Sequence, residues 1–175
     1  MPVPGIIKGN TSLNTYQNFD GSNLTIAGFE EKAVTNKGSV GAFLGVGTNF
    51  NDNVNAVIDF KGTYKYDKKG LLNQNLRIRN TIGLTGSTTQ IRYSPLSVNI
   101  PISDKVSLYA NPHYAGKFNY KTNEWSNSAG IFAGTTVKIA PKTSLSMEIQ
   151  RYNLQNLNDN SGKNWGVNAI LTCDL

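Results

Sequence analysis

Val106-Ser107-Leu108-Tyr109-Ala110-Asn111-Pro112-His113-Tyr114-Ala115-Gly116-Lys117-Phe118-Asn119-Tyr120 decides how the chain is read. Val106, Leu108, Ala110, Pro112, Tyr114, Gly116, Phe118 and Tyr120 make one row, opposed by Ser107, Tyr109, Asn111, His113, Ala115, Lys117 and Asn119. Successive side chains of a strand point to opposite faces, so this alternation predicts one long strand with a greasy and a wet face.

The same period recurs from Ser39 onward. Val54, Ala56, Ile58, Phe60, Gly62, Tyr64 and Tyr66 alternate with Asn55, Asp59, Lys61, Thr63 and Lys65, with Val57 the only apolar residue in the polar row. Leu76, Ile78, Ile82 and Leu84 oppose Arg77, Arg79, Thr81 and Gly83, and Leu145, Met147 and Ile149 oppose Ser144, Ser146, Glu148 and Gln150. Between Thr89 and Ile102 the apolar parity switches, from Ile91 and Tyr93 to Val98, Ile100 and Ile102, which predicts a bulge at Ser94-Pro95. Val40, Ala42, Leu44 and Val46 face a row containing Gly41, Gly45 and Gly47; with no P-loop Lys-Ser/Thr after them, these read as packing glycines. Clusters of Asn, Asp, Gly, Pro and Lys separate the runs, and eight strands follow from Ser39 to Leu175. Residues 1–37 read less regularly and are set apart as an N-terminal segment, a hairpin or a barrel-end plug, leaving 38–175 as the barrel.

Composition excludes several alternatives. A length of 175 residues suits one domain. Charged residues are 16 % of the chain against about 25 % in soluble domains, while 23 Asn make the polarity mostly uncharged. One Cys and one His exclude a disulfide framework and a zinc cage, so neither metal nor cofactor is expected. A net charge of +6, without a basic helix or an aromatic–basic RNA signature, does not point to nucleic acid. Asn10-Thr11-Ser12 and Asn23-Leu24-Thr25 match glycosylation sequons, a frequent coincidence in an Asn-rich chain.

Consecutive hairpins leave two exposed edges unless the sheet closes, so the expected fold is an all-β, antiparallel up-and-down barrel of 8 to 10 strands. Three features point its apolar face to lipid. The runs reach the roughly 9 to 11 residues that a tilted strand needs to cross a bilayer. Aromatics stand where strands meet connectors, at Phe50, Tyr64, Tyr66, Phe118, Tyr120 and Trp165, as in an interfacial girdle. The polar rows are rich in Gly and poor in the Lys–Glu pairs of a solvated surface. The competing expectation is a soluble calycin-like barrel with the apolar row inside, binding a small apolar ligand.

The last strand adds a motif. Asn164-Trp165-Gly166-Val167-Asn168-Ala169-Ile170-Leu171 runs polar-x-Gly-x-x-apolar-x-apolar, and the chain ends on an apolar residue, Leu175. In this it resembles small bacterial outer-membrane β-barrel proteins. The resemblance implies an outer-membrane location, with the signal peptide absent from this sequence because Met1-Pro2-Val3-Pro4 has no signal character. It also implies membrane lipid as surroundings and the outer-membrane assembly machinery as a partner through the C-terminal strand.

On that reading the lumen receives Lys61, Lys65, Arg77, Arg79, Arg92, Lys117 and Lys138 against Asp59 and Glu148. A basic lumen favours small anionic solutes, so the expectation is a narrow anion-preferring pore or, if the lumen is filled, a structural or adhesive barrel. Connector parity strains at two connectors: Asn51-Asp52-Asn53 makes a short outer loop and Asp67 to Gln74 a long inner turn, as though a strand near the N-terminus were miscounted. His113 is a conceivable general base, but no serine elbow or carboxylate pair accompanies it, and no enzyme is expected.

Overall fold

The computed structural model describes residues 8–18, 25–48, 54–84, 86–154 and 165–174. The alternating rows form β1 (Lys8–Asn18), β2 (Thr25–Thr35), β3 (Gly38–Thr48), β4 (Val54–Lys65) and β5 (Leu72–Gly83). They continue as β6 (Thr88–Pro101), β7 (Val106–Asn119), β8 (Glu124–Ala140), β9 (Thr143–Arg151) and β10 (Trp165–Asp174). Each strand pairs antiparallel with its sequence neighbours, and β1 pairs with β10, from Ser12↔Asp174 to Asn18↔Asn168, to close the barrel. Closure gives every wall strand two partners, which is the condition for placing a sheet in hydrocarbon.

The faces are inverted relative to a water-soluble protein. Val40, Leu44, Phe60 and Ile149 are 52–65 % exposed on the outside, whereas Asp59, His113, Gln150 and Asn168 are 0–7 % exposed within. The soluble calycin-like alternative required the opposite arrangement, with the apolar rows as core, and this orientation removes it. The barrel is therefore of the transmembrane kind, greasy outside and polar within.

Residues 1–37 are not a separate unit in their described part: β1 and β2 are wall strands, so the barrel begins before residue 38. Their sequences hid this. Lys8–Asn18 has only Leu13 and Tyr16 as large apolar residues, at opposite parities, and Glu30-Glu31-Lys32 interrupts the alternation of β2.

Turns 36–37, 66–71, 102–105 and 141–142 lie at one end, the turn end, with the first residue of β1 and the last of β10. β1, β3, β5, β7 and β9 end at the other, the loop end. No strand was miscounted after residue 38. The inner turn looked long because β5 starts at Leu72, and the turn is tight because the Asp67 carboxylate accepts from the amides of Lys69 (2.8 Å), Leu71 (3.1 Å) and Leu72 (2.6 Å). These bonds, that from Leu72 foremost, hold the Asp67 carboxyl below its ordinary range.

The bulge in β6 falls where the parity switches. Its register shifts between Tyr93 and Val98, Pro95 and Leu96 are both exposed, and the Pro95 carbonyl accepts the Tyr66 hydroxyl at 2.9 Å. Tyr66 thus satisfies an acceptor that the ladder leaves free.

Candidate functional site

The inward row is tied together first by uncharged groups. Thr63 donates to Asn75 (2.9 Å), Asn75 to Ser97 (2.6 Å), and Thr136 and Ser146 share a hydrogen bond at 2.7 Å. These links account for the abundance of Asn, Ser and Thr: a lumen row needs polarity without a burden of buried charge.

At mid-height the charges gather. Asp59, with no exposed surface, accepts Arg79 Nη2 at 2.8 Å and Arg79 Nε at 3.0 Å, and its Oδ2 also accepts Arg77 Nε at 3.1 Å and Arg77 Nη2. Lys61 Nζ pairs with Glu30 at 3.0 Å and stands 5.7 Å from the Phe43 ring centre. Arg92 lies over Phe132, its guanidinium carbon 4.2 Å from the ring centre, and His113 stacks on that same ring at 4.2 Å. His113 Nδ1 donates to the Asn111 carbonyl at 3.3 Å. Glu148 accepts from Tyr109 (2.9 Å), from Gln150 (2.9 Å) and from Asn168.

Three of the rings lie along the wall over glycines. A Cβ on Gly45 would sit 2.5 Å from Phe43 Cζ, one on Gly130 2.7 Å from His113 Nε2, and one on Gly134 2.8 Å from the Tyr109 hydroxyl. Gly45 therefore is a packing glycine, and the bare backbone lets each ring fold back from the axis.

Ile26, Phe43 and Val57, each 0–1 % exposed, form an apolar knot on adjoining strands of this face. Val57, the irregularity in the row of β4, thereby gains a partner set. A cavity of about 460 Å³ occupies part of the lumen between mid-height and the turn end, with Lys61, Arg77, Arg92, Ser94, Asn111 and Glu148 on its wall.

The other basic residues singled out in the sequence lie towards the rims of the inward row: Lys65 and Lys138 at the turn end, Lys117 towards the loop end. Sequence reading missed three charged groups on this cavity, Glu30, Lys32 and Asp174. The first two belong to β2, whose alternation is broken; Asp174 stood in the polar row of the last strand and was not weighed as a counter-charge.

Of the aromatics expected at the interface, Phe50 lies outside the described residues. Tyr64 and Tyr66 meet edge-to-face near the turn end, 5.7 Å apart, and Phe118 and Tyr120 do so near the loop end, 4.9 Å apart. Trp165 is half-exposed on the outside, with the Arg151 guanidinium 5.0 Å from its ring centre. Trp125 joins the loop-end belt beside Phe118; its place in the 120–126 connector concealed that it shares the outward parity of Ile131.

Comparison with solved structures finds weak similarity to several membrane barrels. A loop-deletion mutant of OmpT, an outer-membrane protein of Vibrio cholerae, is 14 % identical with a TM-score of 0.44, the match covering 90 % of this chain and 56 % of that one. A de novo designed transmembrane β-barrel is 13 % identical, TM-score 0.39, over 99 % of this chain and 98 % of the other. The KdgM porin, solved with disordered oligogalacturonate, is 8 % identical, TM-score 0.39, over 94 % and 97 %. The chain thus spans just over half the length of that OmpT. No protein-family model and no curated protein matches the sequence. The resemblance is one of architecture only.

Proposed function

We propose that this barrel resides in an outer membrane and passes small anions through a narrow, basic lumen. The observation that carries the reading is the sharing of one carboxylate, Asp59, by two guanidinium groups, Arg77 and Arg79. Counting Lys61, Arg77, Arg79 and Arg92 against Glu30, Asp59 and Glu148, this cluster carries one more positive charge than negative. In a low-dielectric wall such charge raises the local concentration of anions and repels cations. Lys65, Lys117 and Lys138 extend the same sign towards the two mouths. Membrane lipid surrounds the apolar outer row, and β10 is the strand through which assembly machinery would engage the chain.

The reading is non-enzymatic. His113 is stacked on Phe132 and bonded to a backbone carbonyl rather than aligned by a carboxylate.

Planar-bilayer recordings in a salt gradient test it. The wild-type reversal potential should lie towards the chloride potential, and Arg77→Glu with Arg79→Glu should move it towards the cation's. Lys117→Glu with Lys138→Glu, outside the Asp59 network, should move it the same way by less. Unchanged potentials in both variants would remove the claim that these side chains line the path, and absence of conductance would leave a structural barrel.

A further inference from the structure

We propose that a hollow on the outer wall, between Trp125 and the Tyr93–Tyr114 pair, holds a single lipid acyl chain. The proposal rests on the membrane setting of the reading above and not on whether the lumen conducts.

The hollow arises from two small residues on neighbouring strands. Tyr93, Tyr114 and Ala129 share one rung of β6, β7 and β8, and Ile91, Gly116 and Asn127 share the next towards the loop end. Gly116 and Ala129 leave the wall recessed while larger side chains stand out around them. Trp125 bounds the recess towards the loop end, its ring laid over Gly116, and Tyr93 and Tyr114 flank it. The space enclosed is about 420 Å³.

Depth selects the occupant. The two rungs lie three to five residues inside the loop-end limits of β6, β7 and β8. With strands rising about 3.3 Å per residue and tilted by about 40°, the hollow is roughly 8–12 Å below the loop-end rim of the wall. Phe118, Tyr120 and Trp125 mark the interfacial belt at that rim, so headgroups meet the belt and acyl chains meet the hollow.

The chemistry of the lining agrees with the depth. Among the described residues, none that borders the hollow is charged. The Trp125 indole N–H donates to Asn127 Oδ1, and Gln74 Nε2, one outer position nearer the turn end, donates to the Tyr93 hydroxyl at 2.9 Å. These two rings present carbon to the hollow, which suits a ligand that makes no hydrogen bonds. Elsewhere Val40, Leu44, Phe60 and Ile149 stand out as exposed ridges, and a chain touches such a wall on one side. A chain in the hollow is touched below and on two flanks, and dispersion attraction grows with the number of atoms met. That difference makes one chain resident while its neighbours exchange as solvent.

The sequence has two tryptophans, so Trp165→Phe leaves Trp125 as the sole reporter. The experiment titrates the refolded Trp165→Phe barrel, in a short-chain non-ionic detergent, with phosphatidylcholine brominated on its acyl chains, because bromine quenches indole emission only at close range. Emission should fall by at least half and level off at one lipid per barrel, and unbrominated lipid should reverse the loss. Ala129→Leu, which fills the floor, should raise the lipid needed at least tenfold. Trp125→Phe, reporting from Trp165, should show only shallow quenching linear in lipid. Each variant is first checked for folding by its heat-shifted gel mobility; should Ala129→Leu not fold, Tyr114→Ala, which opens one flank, replaces it. Linear quenching of Trp125, or saturable quenching unchanged by these variants, overturns the proposal. So does a Trp125 shielded from lipid by a second copy, seen as a dimer mass in the same detergent. A barrel that conducts anions yet quenches linearly keeps its pore and loses this site; one that quenches saturably without conducting keeps the site and loses the pore reading.

Discussion

Asp59 on β4 stands directly across the ladder from Arg79 on β5, and its fully shielded carboxylate serves that residue and Arg77 together. Removing the acid leaves two guanidinium groups facing each other inside the wall. Asp59→Asn should destabilise the barrel by about 3 kcal/mol, the cost typical of breaking a buried pair by deleting one partner. Urea unfolding in lipid vesicles measures it. Replacing all three residues by apolar ones of similar volume should recover most of that loss while lowering anion preference, which separates the structural role of the triad from its electrostatic one.

Leu44 is 64 % exposed on the outer row of β3. Leu44→Arg should cost about 2–4 kcal/mol in a bilayer if the position lies near the midplane. Ser144→Lys, on the inward row near the turn end, should cost much less and shift ion selectivity instead. Equal costs for the two would contradict the inverted faces.

The Trp125 ring lies flat over Gly116 on the outer face, where a Cβ would come 2.2 Å from Cζ2. Gly116→Ala should lift the ring from the wall, at about 1–3 kcal/mol for overpacking, and shift the tryptophan emission. Because the nearest atoms all belong to Trp125, Trp125→Leu should largely restore the stability of Gly116→Ala. A double variant no better than the single one would place the strain in the backbone.

Asp67 links the inner turn to pH. Its folded pKa is depressed, so the turn is stabilised fully above the ordinary aspartate value of 3.8 and loses that stabilisation as pH falls through the lower folded value. Amide exchange at Lys69, Leu71 and Leu72 should accelerate selectively at acid pH and resemble that of Asp67→Ala, whose exchange should vary less over the same range. Exchange rates at these amides that are indifferent to Asp67→Ala would refute the cap.

Strand by strand, legibility followed how cleanly each row divides. Val106–Asn119 announced itself because fourteen residues keep one parity, and the β6 bulge was visible because Ile91 and Ile100 cannot share a face unless a residue is inserted. Lys61, Arg77, Arg79 and Arg92 were found on the lumen side for the same reason. β1 escaped notice since polar residues dominate both of its parities, and with it went the position of Glu30 on the neighbouring strand, one half of the Lys61 ion pair. What no alternation can disclose is which inward side chains meet: that both arginines share Asp59, or that Phe132 serves as a plate for both Arg92 and His113, depends on register and curvature and not on period.

The junction of β1 with β10 has a kinetic consequence. Every other seam in the wall joins strands adjacent in the chain, but this one joins the two most distant, so its loop-closure entropy is the largest and its bonds should be the last to form. Until it zips, the nine other seams hold a curved sheet with two bare edges, each a template for a strand of another molecule. The protein's time of greatest vulnerability is thus its final step, and whatever brings β10 to β1 in the cell shortens an exposure that the finished ring no longer has.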